Sequence, residues 1–115
     1  VIKSIISFFK LKIKDLESVG FTNIIIDPWF GFGKNIEYNY KVLKELNLFQ
    51  SLEKPIMVGL SRKSMIYKVL NISPQEALNG TTVLNTIALE KGANILRVHD
   101  VKEAMECKKL VTKLY

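Results

Sequence analysis

Cysteine is nearly missing from this chain. Cys107 is the only one in 115 residues, so no internal disulfide can form and a reducing compartment suits the protein. Its place within a helical pattern predicts a buried, inert thiol. Long apolar runs are missing too: the longest, such as 56–60 with its glycine, has five residues, where a spanning helix needs ~20. No membrane segment is expected. No secretory or transit leader is expected either, because residues 1–20 read as an ordinary amphipathic helix. The net charge of +6 comes from 17 Lys and Arg against 11 Asp and Glu, yet no basic block of about five residues appears. The lysines are interleaved with acids and no aromatic–basic strip is present, so nucleic acid is not an expected partner. Lys-rich solvated helix faces account for the charge, and a phosphate-bearing small substrate is compatible with it.

Two nucleotide-binding fingerprints also fail. Gly31-Phe32-Gly33 is followed by Lys34, Asn35 and Ile36, so the third glycine of a dinucleotide loop is absent. Gly59-Leu60-Ser61-Arg62-Lys63-Ser64 is similar to a phosphate-cradling loop. It lacks the glycine before lysine and the spacer of a P-loop, which argues against a nucleoside triphosphatase. There is no low-complexity tract, linker or repeat.

What is present alternates. Ile2, Ile5, Ile6, Phe9, Ile13, Leu16 and Val19 recur at helical steps, predicting an amphipathic helix closed by Gly20. Residues 21–27 are expected as a strand. Asn35 offers an N-cap to a helix whose apolar stripe is Ile36, Tyr40, Leu43 and Leu46. Residues 48–54 return the chain to a second strand at 56–60, and Ser64–Leu70 is a short helix. Ser73, Pro74 and Glu76 carry a capping box with proline in the first turn. Gly80 is expected to interrupt that helix, which resumes over 81–91 before Gly92. Residues 95–98 form the third strand, and Asp100 with Glu103 caps a last helix through Leu114.

Units of about 30–40 residues predict parallel strands joined by crossovers. Residues 1–115 read as one α/β domain. Three parallel strands alone would leave two apolar edges open, which intact proteins avoid. The expectation is therefore part of a larger fold, the closing arc of a (β/α) barrel; Val at position 1 fits an internal piece.

Each strand ends in a chemically loaded cluster, and parallel sheets gather their chemistry at the carboxyl ends of strands. Asp27 can accept two parallel N–H bonds from an aminopyrimidinone-type ring edge. The glycines after it would present Phe30 or Phe32 to a flat ligand. Alternatively, Asp27 is a cap and the aromatics fill the core. Lys63 can donate to a ring carbonyl, and Arg62 can stack on a ring or grip a carboxylate, or both are surface charges. Arg97 and His99 share one face of a strand just before a helix N-terminus. Both can then reach a single anion, although a lone histidine is also a common structural residue.

Together DPWFGFGK, GLSRKS and RVHDV resemble motifs of the dihydropteroate synthase family, pterin-binding (β/α)8 barrels of the folate pathway. The resemblance covers essentially the whole chain and corresponds to the last three of eight strands of a TIM (β/α)8 barrel. It implies a cytoplasmic transferase that joins p-aminobenzoate to 6-hydroxymethyl-7,8-dihydropterin pyrophosphate and releases pyrophosphate, with Mg2+ present but its ligands outside this stretch. By the same resemblance Asp27 and Lys63 bind the pterin ring. Phe32, Arg62 and Ser61 border the p-aminobenzoate site, and Arg97 with His99 holds pyrophosphate. A homodimer packed through the late helices is implied, and the isolated chain is expected to be inactive. Trp29 departs from the family, which has glycine there. That departure keeps two alternatives open: a non-catalytic remnant, or pseudoenzyme, of the family, and a phosphate-binding α/β module.

Overall fold

The periodic apolar positions near the start do form a helix. In the computed structural model, which describes residues 2–28, 30 and 35–115, α1 runs Ile2–Ser18. Gly20 ends it at φ +97, where the N–H groups of Gly20 and Phe21 donate back to the carbonyls of Glu17 (3.1 Å) and Leu16 (3.0 Å). These bonds satisfy carbonyls the last turn leaves unpaired, in a conformation that glycine adopts without strain. Ile5, Ile6, Phe9 and Ile13 pack against the core, with Phe9 edge-on to Phe49 at 6.1 Å between ring centres.

Three parallel rungs follow. Ile26 bridges Ile56; β1 (Met57–Val58) then pairs with β2 (Ile95–Leu96), Met57 opposite Ile95 and Val58 opposite Leu96. The expected strand at 21–27 thus contributes a single bridging residue. Phe21 is held in the helix-end turn, and Pro28 has no N–H with which to extend the ladder. The other two strands are also shorter than expected. Their bonding runs slightly further, from Asn94 N to Ile56 O (2.8 Å) and from Arg97 N to Val58 O (2.9 Å). The architecture is α/β with parallel pairing, and the rung bearing β1 lies in the middle.

Helices cover this sheet. Asn35 caps α2 (Ile36–Lys44) by accepting the Tyr38 N–H at 2.7 Å. The chain then tightens into a 3-10 helix, Leu46–Leu52, where the sequence suggested only a connection. Ile56, Val58 and Leu60 from the central rung meet Leu46, Phe49, Met65 and Ile66 in a fully buried core. Phe30 belongs to it at 1% exposure, so of the two aromatics expected to face a ligand this one is core. A hydrogen bond from Tyr40 Oη to Met65 O (2.6 Å) ties α2 to α3 (Ser64–Leu70).

Three expectations about the later helices differ from what forms. The Ser73–Glu76 box forms, but it closes a 3-10 turn, Pro74–Glu76. α4 (Leu78–Glu90) then runs straight through Gly80. Glycine is there for packing: a Cβ at position 80 would lie 2.5 Å from Ile66 Cγ2, so its absence lets α4 approach α3. α5 (Val101–Leu114) starts after Asp100, whose side chain makes no capping bond because Arg62 has claimed it. Cys107 is buried against Thr86 as expected, Sγ to Oγ1 at 2.8 Å. No helix among the described residues is long and apolar enough to cross a membrane.

Candidate functional site

Parallel rungs in register deliver their following residues to one edge of the sheet. Asp27 follows the Ile26 bridge, Gly59–Lys63 follows β1, and Arg97–Asp100 follows β2. Lys63 records the convergence. Its amine, partly buried, donates to the Phe30 carbonyl. Burial first, then the positive charge of Arg97, pushes its pKa below the ordinary lysine value, and the negative charge of Asp27 partly opposes them. One cation and one carboxylate from the neighbouring rungs therefore act on the same ammonium.

Arg97 reaches this position across a glycine. A Cβ on Gly59 would meet Arg97 Nε and Nη2 at 3.2 Å, so the bare backbone of the central rung is what the guanidinium lies over. Ser61 is buried, and its Oγ is 2.7 Å from His99 Nδ1 while accepting the His99 backbone N–H at 3.2 Å. Arg97 and His99 themselves are exposed. They flank the first turn of α5, where the helix dipole favours an anion.

Arg62 behaves differently from its neighbours. Its backbone takes the left-handed conformation at φ 55, which turns its side chain toward the later helices. Nε and Nη2 grip the two carboxylate oxygens of Asp100 at 3.0 and 3.1 Å, and Nη1 donates to the carbonyls of Pro74 (2.9 Å) and Gln75 (2.8 Å). Its backbone N–H donates to Thr81 Oγ1 at 3.0 Å. A planar fork holding a carboxylate at two points has little donor capacity left for a ligand. The pairing holds the Asp100 carboxyl below, and the Arg62 guanidinium above, its usual range.

Of the expected site residues, Asp27, Lys63 and Arg97 are thus brought together, and Ser61 is joined to His99. Arg62 is directed into a clamp. Phe32 lies outside the described residues, as does Trp29. Asp100 and Thr81 were missed as parts of this assembly. Asp100 reads locally as a helix cap, and nothing near it in sequence points to an arginine 38 residues away. No three His, Cys, Asp or Glu side chains gather to hold a metal among the described residues.

Known proteins similar to this chain in sequence and fold are plentiful. The family model described as pterin binding enzyme matches residues 1–99. The chain is 48% identical to dihydropteroate synthase of Escherichia coli (strain K12) over 88 residues, which make up 76% of this chain and 31% of that protein. Yersinia pestis dihydropteroate synthase, solved as a sulfonamide drug complex, matches with a TM-score of 0.93 at 40% identity, over 98% of this chain and 42% of that one. Coxiella burnetii dihydropteroate synthase in complex with pteroic acid matches with a TM-score of 0.93 at 36% identity, over 98% of this chain and 43% of that one. The chain spans about a third of the length of the curated relatives it matches.

Proposed function

The chain belongs to the pterin-binding enzyme family, and from that premise we propose that it is the closing arc, the last three strands of eight, of a (β/α)8-barrel dihydropteroate synthase. The complete protein would be a cytoplasmic transferase joining p-aminobenzoate to 6-hydroxymethyl-7,8-dihydropterin pyrophosphate. The observation that carries this reading is the meeting of Asp27, Lys63 and Arg97 at one sheet edge.

In this reading the carboxylate of Asp27 accepts N–H bonds from the pterin edge and Lys63 donates to its ring carbonyl. Arg97 and His99 hold the pyrophosphate. As the methylene carbon–oxygen bond breaks, negative charge grows on the departing pyrophosphate, and preorganised donors lower that barrier. The arylamine nitrogen forms the new bond and sheds a proton, so its main requirement is positioning. Phe32 and Ser61 would border the arylamine. Arg62 would act there through the loop it holds, given where its guanidinium is spent.

Mg2+ is implied by the family, but the donors here do not suit a dedicated cage: the cluster is cationic around Lys63 and Arg97, with Asp27 as the carboxylate acting on Lys63. Its ligands are proposed to lie on the family's earlier strands. A homodimer through α4 and α5 belongs to the same proposal, supported by the exposed Val101, Met105, Leu110 and Leu114.

The test is a coupled synthase assay on this chain alone and on a chimera in which it replaces the matching segment of the Escherichia coli relative. The chain alone should be silent, since the earlier strands of the family complete the site, and the chimera should turn over. A chimera that folds and remains silent would overturn the enzymatic reading in favour of a remnant. Tight binding of bulk nucleic acid that survives Arg97→Ala would favour a charge-driven module.

A further inference from the structure

The ring and the backbone of the chain's single histidine address the same atom. Ser61 Oγ lies 2.7 Å from His99 Nδ1 and accepts the His99 backbone N–H at 3.2 Å. A hydroxyl has one proton to donate and two lone pairs. The backbone N–H occupies one lone pair. Were Nδ1 protonated, it would take the other, and the Ser61 proton would need a different acceptor. Ser61 is 6% exposed, and among the described residues its hydroxyl makes no side-chain bond other than these two. A buried donor left unpaired is unfavourable. Every group is satisfied when the hydroxyl donates to a bare Nδ1, which puts the ring proton on Nε2.

We propose that Ser61 is a positioning residue that sets the tautomer of His99, so that the neutral imidazole offers Nε2–H outward as a donor. The use of that donor rests on the reading of Arg97 and His99 as the pyrophosphate-holding pair. The other tautomer would offer a lone pair to the leaving group's oxygen and repel it. Both partners are fixed by one clamp: Arg62, next to Ser61, grips Asp100, next to His99, and the carbonyls of Pro74 and Gln75. Ser61 also directly follows Leu60, which is fully buried. The hydroxyl therefore has little freedom to turn elsewhere.

The experiment is 15N NMR of the His99 ring in this chain, in alkaline buffer. One histidine makes the assignment unambiguous. The parent should show Nδ1 at the unprotonated position and Nε2 at the protonated one. Ser61→Ala should move both shifts toward the average of a mixed population, and Ser61→Thr should restore them. Circular dichroism checks that each variant is folded, and the parent spectrum alone suffices should Ser61→Ala not fold. Protonated Nδ1 in the parent, or shifts in folded Ser61→Ala that match the parent, would overturn the proposal. Titration with inorganic pyrophosphate should show binding about two- to threefold weaker in Ser61→Ala, because apparent affinity falls with the competent fraction. The two failures separate. The wrong tautomer refutes the role of Ser61 whether or not pyrophosphate binds, whereas the right tautomer without pyrophosphate binding upholds that role and refutes the assignment of His99 to the anion.

Discussion

Replacing Gly80 by alanine sets two opposing effects against each other within one helix. In an exposed helix interior the change would stabilise by about 1 kcal/mol, because glycine is the poorer helix former. In α4 the new methyl carbon would lie 2.5 Å from Ile66 Cγ2 and 3.1 Å from Leu70 Cδ1. Ile66 is 2% exposed, and the groove of about 180 Å³ that it lines with Gly80, Leu70 and Leu84 lets its Cγ2 give way only in part, because its other side is packed in the core. Overpacking of this kind costs about 1–3 kcal/mol. The expected net result is a destabilisation of about 1 kcal/mol, read as a lower urea midpoint with unchanged slope. In an Ile66→Leu background, which removes the offending Cγ2, the same substitution should be neutral or stabilising, and the double-mutant cycle should return that coupling. The neighbouring Thr81 links this contact to the site, because Arg62 N donates to its Oγ1 at 3.0 Å. Pushing α4 outward should therefore speed hydrogen exchange of the Arg62 amide. A midpoint that rises in the single variant would refute the packing argument, since propensity alone predicts that outcome.

Other consequences are equally open to measurement. Arg62 lowers the pKa of Asp100, so their pairing contributes stability above the ordinary carboxylate range and loses it as pH falls through the depressed folded-state value. Asp100→Asn should flatten part of the acid limb of the melting-temperature profile. A further part belongs to Glu76, lowered by its bonds from Ser73, and an unchanged acid limb would contradict the assignment. In the chimeric enzyme, Lys63→Gln should raise KM for the pterin substrate roughly tenfold to a hundredfold, the worth of a charge-assisted hydrogen bond. A loss confined to p-aminobenzoate would place Lys63 elsewhere. Gly59→Ala should displace Arg97 by a few tenths of an ångström, because the new Cβ meets the flexible end of that side chain at 3.2 Å. The chain should stay folded while pyrophosphate binding weakens, and equal affinity would show that Arg97 does not act from that position.

Much of the fold was legible because its signals are local. Gly20 ends α1, Asn35 caps α2 and Ser64–Leu70 is helical, each from cues within a few residues. What escaped depended on distant partners. Gly80 looks like a helix breaker until Ile66 is seen beside it, and Asp100 looks like a cap until Arg62 arrives to take its carboxylate. The strand at 21–27 was overread because its β-branched run states burial preference but not how many ladder bonds an edge rung can make. The site divides the same way. Motif and strand-end logic brought Asp27, Lys63 and Arg97 forward, since parallel register alone decides that they leave the sheet together. Neither could disclose the Ser61–His99 bond or the clamp beneath it, which require α5 to return against a loop formed 38 residues earlier.

Convergence of groups from separate rungs is best tested by titrating one of them while deleting its neighbours. Burial and Arg97 lower the Lys63 pKa, and Asp27 opposes them. NMR titration of the Lys63 ammonium in the parent and two variants should show the value falling further in Asp27→Asn and rising in Arg97→Gln. A Lys63 titration indifferent to both substitutions would mean that these side chains do not share a site.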